Sequence, residues 1–181
     1  MQLPTSLTRS TVTVLVPGIV ALTPWLLALV QHTDATLGFK DYPTLAHAIF
    51  FAGIIVTGTL CEGLGSYIES RWDTEREEKF QVKENWFKYL GTVVEHEPVG
   101  YRYLSRLVTA MYFELAMLSA APLFLLGVGL LAYLRFSQLH CLVVVATLLC
   151  IVGAIVFFAW QACITHRVIC ETRQEVMRRT P

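Results

Sequence analysis

The chain has 181 residues, of which 55% are hydrophobic and 15% charged, with a mean hydropathy of +0.54. A soluble domain carries about a quarter charged residues, so the composition argues against a water-soluble fold. Lysine plus arginine equals aspartate plus glutamate at 14 each, which leaves no bulk charge to draw a nucleic acid.

The apolar residues fall into four long runs rather than at core spacing, so lipid is the expected solvent. The first run, 12–30, reads VTVLVPGIVALTPWLLALV. At ~1.5 Å per residue it is long enough to cross a hydrocarbon layer of ~30 Å. It exceeds a signal-peptide core in length, holds Pro17 and Pro24, and meets no small-x-small cleavage site before His32. A retained helix, bent where the prolines remove backbone donors, is expected. A polar connection, HTDATLGFKDYPT, leads to the second run, 45–68, whose only carboxylate is Glu62. The third run, 107–134, also has one, Glu114. The fourth, 141–164, contains Gln161 and ends against His166 and Arg167. Only RFSQLH separates runs three and four, so these two helices are expected to be antiparallel neighbours.

Positively charged loops resist translocation, so the placement of Lys and Arg sets orientation. Twelve of the fourteen lie in the N-terminal tail, the long central loop and the C-terminal tail; only Lys40 and Arg135 lie in the short loops. Both termini are therefore expected in the cytoplasm, with the bacterial inner membrane as the setting suggested by compact size and short loops. The expected fold class is an all-α integral membrane protein: four transmembrane helices in a single membrane domain, with a cytoplasmic helical hairpin, 67–105, between spans two and three, and a cytoplasmic tail, 165–181.

The hairpin's first half, YIESRWDTEREEKFQVKENWFKYL, has good helix formers and no Gly or Pro, so span two is expected to continue as one helix. Val82, Trp86, Tyr89, Leu90 and Val93 recur at helical spacing, and the break is expected at Pro98-Val99-Gly100. From Arg71 to Glu97 there are five basic and seven acidic residues, which argues against a polybasic lipid clamp. The expectation is a solvated helix with i,i+4 pairs such as Glu75 with Lys79; Trp72, Trp86 and Phe87 are its candidate partner surface. The five cysteines, Cys61, Cys141, Cys150, Cys163 and Cys170, form no close pair and read as small hydrophobes.

A carboxylate at bilayer depth costs ~2.5 kcal/mol or more, which makes Glu62 and Glu114 the foremost site candidates. Counting ~1.5 Å per residue, each lies about 9–10 Å inside its span from the cytoplasmic end. Gln161, Thr165 and His166 approach the same level on span four. Glu62, Ser66, Glu69 and Asp73 follow at i, i+4, i+7 and i+11, one face of a helix leading outward. This set serves either as a proton or cation path, or as interhelical ties in which Glu62 and Glu114 bond neighbouring helices or pair with Arg106 or His166. The same acidic face could be half of a carboxylate metal site in a four-helix bundle, although the Glu-x-x-His pairs of such sites are missing from the spans; the metal stays open and no cofactor is clearly implied. Gly53, Thr57, Cys61 and Gly65, at spacing four, form a small-residue ridge that lets another helix come close: span one, span three or a second copy.

There is no GxSxG, P-loop, HExxH or histidine-box pattern, and little mass lies outside the membrane to hold a large substrate. The leading expectation is a non-enzymatic membrane module that self-assembles or binds a membrane partner, channel-like or membrane-perturbing in output. The alternative is an embedded enzyme or transporter using Glu62 and Glu114 on a lipid headgroup, proton or cation. The four-span, N-in and C-in format also resembles that of small bacterial membrane proteins such as immunity proteins against pore-forming toxins, which would imply an accessory subunit. The expected partners are thus the lipid bilayer and either further copies or another membrane protein, with no nucleic acid.

Overall fold

The computed structural model describes residues 11–32, 42–84, 99–136 and 138–179, and among these it is helical with no strand. A π-helical turn, Thr11–Leu15, opens into α1, Val16–His32. The other long helices are α2, Pro43–Phe80, α3, Val99–Arg135, and α4, His140–Arg179. All four are long and apolar enough to cross a membrane.

The wide turn has a cause in the sequence. Pro17 has no N–H to give the carbonyl of Thr13, and its ring crowds that residue, so the backbone opens just ahead of the proline. Thr13 is consequently turned into the bundle, where it is buried.

Three helices outrun their apolar runs. A bilayer crossing takes ~20 residues, whereas α2, α3 and α4 have 38, 37 and 40. The segment 165–181, expected as a tail, is the helical continuation of α4 as far as Arg179. Helix α3 starts at Val99, directly after Pro98, where the sequence places a break.

The continuation of α2 is shorter than the composition suggests. The helix stops at Phe80, and Gln81 turns left-handed at φ 48° while its N–H still bonds the Glu77 carbonyl at 2.8 Å. The Glu77 carboxylate then accepts the Lys83 backbone N–H at 3.0 Å. Gln81 itself takes the left-handed conformation that glycine ordinarily supplies at such a stop, and residues 82–84 return to helical backbone. Phe80 and Val82 fold onto Cys170 of α4. Lys79 lies over the Phe80 ring, 5.1 Å from its centre, and does not pair with Glu75. Trp86, Phe87 and the rest of the expected stripe beyond Val82 lie outside the described residues.

Helix α3 is the hub, packing extensively on α1, α2 and α4, while the α2–α4 contact is sparse. Its closest partner is α4, antiparallel through the short turn, where Tyr133 stacks on His140 at 4.0 Å. One core joins Ala21, Cys61, Ala116 and Ala120 from α1, α2 and α3. A second joins Leu104, Met111 and Leu115 of α3 to Ala162 and Ile169 of α4, with Ile68 and Trp72 of α2 against it. The Trp25 indole N–H of α1 donates to the Leu123 carbonyl of α3 at 3.0 Å. Hydroxyls inside the apolar runs bond their own helix: Thr23, Thr59 and Thr147 each donate to the carbonyl four residues back.

The α1–α2 crossing depends on glycine. A Cβ at Gly58 would fall on the Val14 carbonyl, and one at Gly18 on the Ile54 carbonyl, so the two backbones touch with no side chain between them. At Gly65 a Cβ would lie 2.8 Å from that of Leu115, so α3 also comes close, though less so than α1.

Candidate polar network

The acidic face of α2 meets a different neighbour at each step. Glu62 accepts a hydrogen bond from the Thr13 hydroxyl of the π turn at 3.3 Å. Ser66 is exposed. Glu69 accepts from the Tyr112 hydroxyl of α3, and Asp73 Oδ1 lies 2.8 Å from His166 Nε2 of α4. The 11 residues from Glu62 to Asp73 rise about 16 Å, and over that length α2 passes from α1 across α3 to α4.

Glu62 and Glu114 therefore do not meet through a shared hydrogen bond. Glu114 is bonded to Thr165 of α4, whose hydroxyl also lies 3.2 Å from the Gln161 carbonyl. The other carboxyl oxygen of Glu114, Oε2, is buried with no hydrogen-bond partner among the described residues. Gln161 thus contributes its backbone to this level, and Arg106, considered as a partner for the carboxylates, is exposed.

The densest polar cluster is at His166, which is 2% exposed. Its Nε2 faces Asp73, and its Nδ1 contacts the Arg76 guanidinium, with Cys170 Sγ at 3.8 Å. The same guanidinium reaches Cys163, 3.1 Å from Sγ and 3.5 Å from the carbonyl. Trp72 packs its edge on the imidazole at 5.8 Å and carries Arg76 over its ring at 6.0 Å. Trp72, expected on a partner surface, is half-buried and packs against the core of α3 and α4. Glu69 and Arg173 complete the charged surroundings.

Sequence reasoning singled out His166 and Asp73 but not Arg76, Thr13 or Tyr112. Asp73 and Arg76 are three apart on one helix, close enough for one imidazole to touch both, and that spacing was the available signal. For Thr13 it was its position four residues before Pro17.

The ridge on α2 is divided between neighbours within the chain. Cys61 is buried in the core with Ala21 and Ala116, Gly65 abuts Leu115, and Gly53 makes an ordinary contact with Leu22. Thr57 is half-buried, and the tightest approach falls one residue along at Gly58. By contrast, a Cβ at Gly63 of α2 or at Gly153 of α4 would meet nothing within 4 Å.

Among the described residues, no three His, Cys, Asp or Glu side chains are grouped to hold a metal ion. The chain matches no family model, no curated protein and no solved structure.

Proposed function

We propose that this chain is a non-enzymatic membrane module that acts by assembling, with further copies or with another membrane protein, in a bacterial inner membrane with both termini cytoplasmic. Twelve of fourteen basic residues on one side of the four spans support that orientation. The observation that carries the reading is the engagement of Glu62, Glu69, Asp73 and His166 by partners within the chain. These groups tie helices together, Glu62 within its span and Glu69, Asp73 and His166 just beyond the cytoplasmic ends of theirs. The surface left for function is then the outward face. Within the most apolar window of helix α4, mean hydropathy 3.0, no residue is fully buried by the rest of the chain. Its Gly153 offers a place for a second helix to approach closely.

Light scattering of the detergent-solubilised protein, with the detergent contribution subtracted, tests this. A defined oligomer that falls to monomer on Gly153→Leu or Gly63→Leu supports assembly. A monomer for the wild-type chain, with no co-purifying membrane partner, overturns it.

A second reading has its own observation, the unbonded Oε2 of Glu114. A buried acceptor oxygen without a donor suits a proton or cation, so a transporter or embedded enzyme centred on Glu114 is the alternative. Proton or cation flux in proteoliposomes, abolished by Glu114→Gln with the oligomeric state retained, would favour it.

A further inference from the structure

We propose that His166 is a proton-operated latch, which holds the outer end of α2 on α4 through Arg76 when neutral and releases it when protonated. This rests on geometry alone and is independent of the assembly reading. A guanidinium only donates hydrogen bonds, so the Arg76 contact requires Nδ1 of His166 as acceptor. The imidazole proton is then on Nε2, donated to Asp73 at 2.8 Å. In this tautomer a neutral ring bridges an anion and a cation that belong to the same helix, and both are satisfied.

A proton added at Nδ1 converts the acceptor into a donor. Arg76 then faces an N–H and a positive charge, and the other acceptor near Nδ1 is Cys170 Sγ, at 3.8 Å. The Asp73 bond survives and gains full charge, so α2 stays attached at Asp73 and loosens beyond it. The groups facing the ring are Asp73, Glu69, Arg76 and Trp72 from α2, Tyr112 by way of Glu69 from α3, and Cys163, Cys170 and Arg173 from α4 itself. Burial and Arg76 oppose the added proton, while Asp73 and Cys170 favour it.

The freed segment is a small one. Beyond His166, this end of α2 meets α4 through the Arg76 contacts with Cys163, at 3.1 Å from Sγ and 3.5 Å from the carbonyl, and through Phe80 and Val82 against Cys170 and Arg173, so loss of the Nδ1 contact loosens this end without detaching it. The backbones of the two helices meet sparsely, so side chains decide whether this end is closed.

The test uses the full-length protein in lipid nanodiscs, from about pH 5 to about pH 10, a range that brackets histidine titration on both sides. Side-chain NMR of 15N-histidine, assigned by the loss of one signal in His166→Gln, reports the ring. Hydrogen exchange of amides 76–84, corrected for intrinsic pH dependence, reports the latch. The expected result is a loss of protection of about tenfold as His166 gains its proton, the size of one charge-assisted hydrogen bond. Residues 66–73 should keep their protection. Arg76→Gln should abolish the pH response of 76–84 with His166 still bonded to Asp73, which keeps the test available if His166→Gln does not fold. The latch is overturned if His166 titrates with no change in 76–84, if it does not titrate in this range, or if Arg76→Gln retains the response.

Discussion

Helix α2 is held at its two ends in opposite ways. Against α1 it makes backbone contact, with Gly58 and Gly18 bringing each helix onto a carbonyl of the other. Against α4 the backbones stay apart and Asp73, Arg76 and His166 reach across the gap. The first kind of contact is dispersion between closely packed atoms, which no change of pH or salt alters much. The second depends on where protons sit. One helix thus carries a fixed anchor and an adjustable one, some 15 to 18 residues apart.

Four substitutions would break or sharpen this comparison, each followed by equilibrium unfolding in mixed micelles by circular dichroism. Gly58→Leu should be the most damaging, at about 3 kcal/mol or more, because the added side chain meets a backbone carbonyl that cannot rotate away. A loss below about 1 kcal/mol would mean that the two helices separate easily and that the anchor is not fixed. Asp73→Ala should cost about 2 kcal/mol, by leaving a buried imidazole donor without its acceptor. Glu62→Gln should cost less than about 1 kcal/mol, since an amide keeps an acceptor for Thr13 and interhelical hydrogen bonds in membranes are individually weak. Gly153→Leu should change unfolding by no more than about 0.5 kcal/mol, because its surroundings are open. That variant therefore separates the assembly surface from the fold: a change in mass without a change in stability assigns Gly153 to contacts between chains.

The difference between the two ends also explains which parts were legible beforehand. Four runs of apolar residues of bilayer length declare four helices, because backbone groups in lipid have no partner except their own helix. The six-residue turn dictates the antiparallel pairing of α3 and α4 for want of chain to do anything else. Carboxylates at depth announced themselves by cost. The stop at Gln81 was not legible, since it is made by a glutamine in the left-handed conformation rather than by a glycine or proline. Nor was the exact register of the ridge: spacing placed Gly53, Thr57, Cys61 and Gly65 in line, while the close crossing selects Gly58 and Gly65.

By itself, then, the sequence determined that the chain makes four long apolar helices, where two of them must turn back on each other, and which polar residues lie within the apolar runs. Those follow from length, hydropathy and the arithmetic of 3.6 residues per turn, all of which are local. Only the tertiary structure decided the partners: Glu62 to Thr13, Glu114 to Thr165, Asp73 and Arg76 to His166. The physical reason is that α2 crosses the bundle obliquely. One face, continuous in the sequence, is presented in turn to three different helices, and no pattern within α2 records the crossing.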